Sequence, residues 1–248
     1  MKHNGWFTTA RGPGSFNLFS SILERIRSGE IDARLSFILI NREVKGNQYR
    51  KRMIDMAAEQ GIPVIIFPSD SFRPDLKQTD MNAWRDAYGA GLREHISRYH
   101  MDFGVLAGYM LIFDPETCKR YVLINLHPAL PDTYKGTWED IVGQVVDDND
   151  QSYGSTVHLC TPELDRGATI AYDSFDVEPL RAMFPERDDL IKAVRAKELL
   201  REAYLLMETV KMLVDGGVVI RDGRLYDAQG RPLHGHPCLA DRIDERLK

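Results

Sequence analysis

The sequence predicts an α/β protein. A doubly wound, mostly parallel Rossmann-like sheet occupies the N-terminal half, and antiparallel strands with a long helix fill the C-terminal half. Three observations carry this reading. Apolar runs of strand length alternate with helix-patterned stretches as far as residue 126. Residues 154–160 and 168–177 are strand-like and joined by a turn-rich loop, which suits an antiparallel pair. Residues 188–214 form one long helical pattern, stopped by Gly216 and Gly217.

Taken in order, residues 6–10 are a weak first strand, because Thr8 and Thr9 interrupt its apolar run. Arg11-Gly12-Pro13-Gly14-Ser15-Phe16-Asn17 makes a glycine-rich turn. A helix follows, with Leu18, Phe19, Ile22, Leu23 and Ile26 on one face and Gly29 as its stop. Residues 35–40 are continuously apolar, as befits a strand buried on both faces. A helix is expected over 48–60, a strand over 64–67, a helix over 80–99 and a strand over 103–107. Asp114-Pro115 opens another helix, with a capping side chain followed by a proline at the first helical position. Residues 121–126 form the next strand and Pro128 ends it. Residues 138–146 are a short helix, 147–150 a polar loop, and 218–226 a terminal hairpin.

Composition bounds the function. The chain has 248 residues, 43% hydrophobic and 28% charged, enough for a sizeable core. The expectation is a single domain: about 6–110 as a phosphate-binding half, about 111–226 as a catalytic half, and 227–248 as a tail. A net charge of −5 provides no global field for nucleic acid, so an anionic ligand needs a local site. No apolar run reaches membrane-spanning length, and the N-terminus leads into no signal-peptide core. Cys118, Cys160 and Cys238 are isolated, which fits a reducing cytoplasm. His234 and His236 lie in the tail without partners at metal-like spacing, and no metal is expected. Small-molecule substrates are expected, with no nucleic acid or membrane partner, and a monomer or homodimer.

The chemistry centres on Asn125-Leu126-His127-Pro128. Strand side chains alternate faces, so Asn125 and His127 project together at the carboxyl end of an apolar strand, where α/β sheets bind ligands. Asn125 can donate to an oxyanion, and His127 can take or give a proton near neutral pH. The pair suits acyl-type transfer. Asp165, in a turn beside Gly167, is the most suggestive carboxylate; near His127 it would favour the imidazolium and raise its pKa. The Gly12–Asn17 turn, ahead of a helix, can cradle an anion, with Ser15 or Asn17 adding a hydrogen bond. Taken alone, Glu198 reads as part of a solvated charged face, between Lys197 and Arg201.

Asn125-x-His127-Pro128, Ser155-Thr156-Val157-His158 and Glu163-Leu164-Asp165-Arg166-Gly167 together resemble the formyltransferase-fold family that uses 10-formyltetrahydrofolate. The resemblance covers the chain from the Gly12 turn to the terminal hairpin. It implies formyl transfer from that folate to the primary amine of glycinamide ribonucleotide in purine biosynthesis. A nucleotide-linked amino sugar is an alternative acceptor, and folate hydrolysis an alternative outcome. It further implies that Asn125, His127 and Asp165 are catalytic and that His158 supports them. Gly14, Ser15 and Asn17 would bind substrate phosphate, and Glu198 would lie on the amine side. Arg85 and Met110, Leu111, Ile112 and Phe113 would contact folate. Three departures stand out. Phe16 separates Ser15 from Asn17, Leu111 replaces a common arginine, and one residue is missing after His127-Pro128.

Overall fold

The computed structural model describes residues 1–233 and 235–248; His234 lies outside them. The elements run β1 (Lys2–Thr8), α1 (Pro13–Arg27), β2 (Ala33–Ile40), α2 (Gln48–Glu59), β3 (Val64–Ile66), α3 (Pro74–Thr79), α4 (Met81–Ile96), β4 (Phe103–Leu106), α5 (Pro115–Arg120) and β5 (Leu123–His127). They continue with α6 (Trp138–Asp147), β6 (Ser152–Leu159), β7 (Thr169–Asp176), α7 (Glu178–Met183), α8 (Arg187–Val214), β8 (Val218–Arg221), β9 (Arg224–Asp227) and α9 (Ala240–Arg246). The chain forms two compact units, one of residues 1–125 and 160–164, the other of residues 126–159 and 165–248.

In the first unit the strand order is β3-β2-β1-β4-β5, with every neighbouring pair parallel. Parallel neighbours require crossover connections, and the helices supply them. β1 is central, so both of its faces are buried. Trp6 meets Phe19 of α1 edge-on at 5.7 Å, while Phe7 packs on the other face against Phe37 and Phe113. The cluster on Phe7's face also takes in Trp84, Tyr88 and Leu92 of α4.

The first strand is therefore stronger than its sequence suggests, and it starts at Lys2 rather than residue 6. The threonines that break its apolar run act as polar staples at its end. Thr8 Oγ1 accepts from the Ala10 N–H at 3.0 Å, and Thr9 Oγ1 accepts from the Met110 N–H at 3.0 Å. Neighbouring strand residues can thus stay buried with their backbone groups satisfied.

In the second unit β6 and β7 pair antiparallel, with a register shift between Val157 and His158. α6 and α8 pack beside them around Ile141, Val142, Tyr153, Phe175 and Val194. The inward face of α8 is not wholly apolar: Glu198, Arg201 and Glu202 are buried on it along with Val194 and Leu205. The solvated-face reading of Glu198 is thus overturned. Residues 195, 198 and 202 are spaced by one turn and two turns, which places them on one helical face.

The described residues of the tail are structured. The Leu239 N–H donates to the Tyr172 carbonyl at 2.8 Å and the Tyr172 N–H donates to the Pro237 carbonyl at 3.1 Å, so residues 237–239 cover an edge of β7. Ile243 of α9 is fully buried. Arg201 holds the buried Asp173 with two hydrogen bonds of 2.7 Å and also pairs with Asp244 of α9.

The helices α3, α7 and α9 were not expected from the sequence, because each is only six or seven residues long. β5 begins two residues later than expected and includes His127. Among the described residues no helix is long and apolar enough to cross a membrane.

Removing Arg201 strands Asp173 as an uncompensated buried charge. Arg201→Ala should cost about 3–5 kcal/mol in urea unfolding. Asp244→Asn, at an exposed partner, should cost no more than about 1 kcal/mol. Equal losses would show that the buried pair is not what anchors this region.

Candidate active site

The second unit contains a polar cleft lined by His127, Tyr134, Thr156, His158, Asp165 and Gly167, with Lys135 and Arg166 at its margin. Each element delivers its residue for a local reason. His127 is the last residue of β5. Thr156 and His158 are two apart on β6 and so share a face, and the Thr156 hydroxyl ties that strand to the Ala129 carbonyl at 2.7 Å. The register shift beside His158 is the kind of irregularity that re-aims a side chain. Asp165 has φ of 51°, in the left-handed region that aspartate tolerates better than most residues. Gly167 approaches the Leu159 carbonyl so closely that a Cβ would collide with it. The turn therefore closes only with glycine there.

The geometry is a carboxylate between two imidazoles. Asp165 Oδ2 lies 3.6 Å from His127 Nδ1, and Asp165 Oδ1 lies 3.5 Å from His158 Nε2. These are ion-pair separations, longer than good hydrogen bonds. The three side chains are 8%, 7% and 9% exposed for His127, His158 and Asp165. The outer nitrogen of each ring is committed to main chain. His127 Nε2–H donates to the Tyr134 carbonyl at 2.9 Å, and His158 Nδ1–H donates to the Leu159 carbonyl at 2.8 Å. A carbonyl only accepts, so neutral His127 carries its proton on Nε2. Its Nδ1, facing Asp165, is the nitrogen left to take a proton.

The expectation that Asp165 would raise the His127 pKa is corrected in sign. Burial is the largest influence and lowers it; Asp165 and the Tyr134 carbonyl act upward, His158 acts downward, and the net result lies below 6.5. His127 is therefore a neutral imidazole near pH 7. For Asp165, burial acts upward, but His158, His127 and Lys135 outweigh it, and the carboxyl lies below its ordinary value. The resting cleft thus holds a carboxylate and a neutral ring poised to accept a proton.

Asn125 is half-buried on β5, two residues before His127, so strand alternation turns both to one face. Gly14, Ser15 and Asn17 lie inside α1, not in a turn ahead of it. Gly12 is the extended residue before the helix and Pro13 occupies its first position. Helix geometry leaves the first-turn N–H groups of Gly14 and Ser15 without intrahelical partners, and α1 has no acidic residue there. Ser15 Oγ donates to the Gly12 carbonyl at 3.0 Å, and Asn17 is exposed. The inserted Phe16 is buried under the Arg52 guanidinium, 4.3 Å from its ring centre. Arg85 is half-buried on α4. Met110 is exposed, Leu111 and Ile112 are half-buried, and Phe113 stacks on Tyr109 at 4.9 Å.

Glu198 does not line the cleft. Ser155, its partner at 3.0 Å, is on the opposite face of β6 from Thr156 and His158. Its other oxygen accepts from Arg195 at 2.6 Å, and the same guanidinium nitrogen lies 3.3 Å from Glu202. One cation thus serves two buried carboxyls. Burial raises both pKa values, that of Glu202 to about 8. The sequence reading missed Arg195, Glu202 and Tyr134. Their helical spacing was available for the first two; nothing in the sequence marked Tyr134.

Comparison with known proteins follows the same lines. The family profile described as Formyl transferase matches residues 12–198, most of the chain. This protein belongs to the formyl transferase family. It is 30% identical over 160 residues to the phosphoribosylglycinamide formyltransferase of Escherichia coli K12, covering 61% of this chain and 68% of that protein. It is 25% identical over 219 residues to the enzyme of the same name from Haemophilus influenzae, covering 87% of this chain and 91% of that protein. The phosphoribosylglycinamide formyltransferase structure from Coxiella burnetii shares the fold at a TM-score of 0.74 and 21% identity, covering 96% of this chain and 99% of that one.

The buried carboxyl pair gives a pH signature in stability. Glu202 is protonated in the folded protein over a range where the unfolded chain, with a value of 4.5, is ionised. Its contribution is therefore full below pH 4.5 and is lost as pH rises through about 8. Urea unfolding at a series of pH values should show this decline in the wild type and a flatter profile in Glu202→Gln. Parallel profiles would contradict the assignment.

Proposed function

We propose that this member of the formyl transferase family moves the formyl group of 10-formyltetrahydrofolate to the primary amine of glycinamide ribonucleotide, in a cytoplasmic setting. The observation that carries the proposal is the cleft in which Asp165 faces His127 Nδ1 and His158 Nε2. The folate supplies an acyl carbon already activated on nitrogen; the chain supplies proton handling and charge stabilisation.

The amine must be neutral to attack and must then shed a proton. Neutral His127 takes it on Nδ1, the nitrogen not tied to the Tyr134 carbonyl. The resulting imidazolium lies between a carbonyl oxygen and the Asp165 carboxylate, both of which stabilise it. His158 supports the carboxylate from its other oxygen. His127 then returns the proton to the departing folate nitrogen, so one ring serves both steps. Asn125 donates to the developing oxyanion. Positioned proton transfer contributes about 10²–10⁴-fold, and removing an oxyanion donor costs about 2.7–4 kcal/mol.

Within the same proposal, the N-terminal turn of α1, with Gly14, Ser15 and Asn17, takes the substrate phosphate. Arg85 and Met110, Leu111, Ile112 and Phe113 contact the folate. Glu198, with both oxygens engaged by Ser155 and Arg195 on the opposite face of β6, takes no part in binding the amine in this reading.

The direct experiment offers 10-formyltetrahydrofolate with glycinamide ribonucleotide, an amino-sugar nucleotide, or water alone. Formyl transfer to glycinamide ribonucleotide supports the reading; formate release without an amine acceptor, or preference for the amino sugar, contradicts it. Asn125→Ala should lower kcat about 10²–10³-fold with folate affinity within about twofold. In Asp165→Asn, the limb of the pH–rate profile that reports His127 should move to lower pH; an unmoved limb would remove Asp165 from the mechanism.

A further inference from the structure

We propose that the Tyr134 phenol is a positioning group: tethered to Asp148 and Asp150, it holds the main-chain carbonyl that decides which nitrogen of His127 keeps its proton. The two ends of this residue do different things. Its carbonyl accepts from His127 Nε2–H at 2.9 Å. Its hydroxyl lies 2.7 Å from Asp150 Oδ2 and 3.0 Å from Asp148 Oδ2, sharing one hydrogen between two carboxylates. Burial, and then the two carboxylates, push the phenol pKa well up, so the hydroxyl remains a donor throughout the working range.

The tether has a fixed anchor. Asp148 caps the C-terminus of α6, and Asn149 follows at φ of 56°. The Asp150 N–H donates to the Val145 carbonyl at 3.1 Å and the Asn149 N–H to the Val146 carbonyl at 3.4 Å, the two-bond closure of a left-handed helix cap. Arg181 of α7 adds contacts to the Val146 and Asp150 carbonyls at 3.4 and 3.3 Å. Carboxylates at a helix C-terminus oppose its dipole, at a cost of about 0.3–1 kcal/mol each at exposed sites. Two of them there are poor choices for stability alone; as paired acceptors for one phenol they have a purpose. Within the 130–135 loop that carries the Tyr134 carbonyl, the Thr133 hydroxyl and N–H both donate to the Leu130 carbonyl, at 2.8 and 3.3 Å.

The consequence is chemical. If the carbonyl moved away, neutral His127 could shift its proton to Nδ1 and donate to Asp165. The proton-receiving nitrogen would then be Nε2, on the side of the ring away from the carboxylate, and Nδ1 would no longer be available to take the proton. The charged and titratable groups facing this unit are Asp165 and His158 around His127, Lys135 beside Asp165, and Asp148 and Asp150 around the phenol.

This inference rests on His127 being the proton acceptor of the proposed reaction, and its test separates the two. Nitrogen-15 NMR of histidine-labelled full-length protein reads the His127 tautomer without turnover. The wild type should show Nε2–H, and Tyr134→Phe, which keeps the carbonyl but loses the tether, should show substantial Nδ1–H. Asp148→Ala/Asp150→Ala should reproduce that change with the phenol intact. Because positioned proton transfer contributes about 10²–10⁴-fold, kcat should fall about tenfold in both variants, with KM for each substrate within about twofold. An unchanged tautomer in both variants, or a changed tautomer with wild-type kcat, overturns the proposal. A wild type that transfers no formyl group overturns the functional reading instead.

Discussion

The site depends on one constraint: a carboxylate is buried against two imidazoles whose other N–H groups are already taken by the main chain. Asp165 cannot choose its protonation state independently of His127 and His158, and neither ring can easily exchange tautomers. Several features exist to make that arrangement possible. Asp165 adopts a left-handed backbone, Gly167 passes against the Leu159 carbonyl, and the β6–β7 register shifts beside His158. None of the three is what a plain hairpin would require.

The balance of forces decides what the cluster does. A nearby carboxylate draws the His127 pKa upward, but desolvation of the ring is the larger effect. A cleft that excludes water this well makes a neutral base at rest and a stabilised cation once a proton arrives. The same competition runs through α8. There burial keeps a proton on the Glu198–Glu202 pair despite Arg195, whereas Asp173 is matched by a two-pronged guanidinium. Where one cation is divided between two buried acids, a proton makes up the difference.

Much of this was legible in the sequence. The strand–helix alternation, the antiparallel β6–β7 pair, the long α8 and the Asp114 cap of α5 all follow from periodicity and capping residues. His127 and Asp165 could be nominated by residue type and place. What escaped was set by tertiary surroundings. β1 looked poor because its threonines cannot be recognised as staples until the Met110 N–H is brought beside Thr9. α1 starts at Pro13 because Gly12 takes an extended conformation before it, a choice that helical periodicity alone does not report. Glu198 looked solvated because its partner Ser155 is 43 residues away. The sign of the His127 shift depends on how much water is excluded, and no spacing rule encodes that.

The claim on which the rest turns is that burial outweighs the carboxylate at His127. A proton NMR titration of the His127 ring, in the wild type and in Asp165→Asn, measures it directly. The wild type should show a pKa below 6.5, with a further fall once the carboxylate is replaced. A wild-type value above 6.5, or a value that does not move in Asp165→Asn, would contradict it.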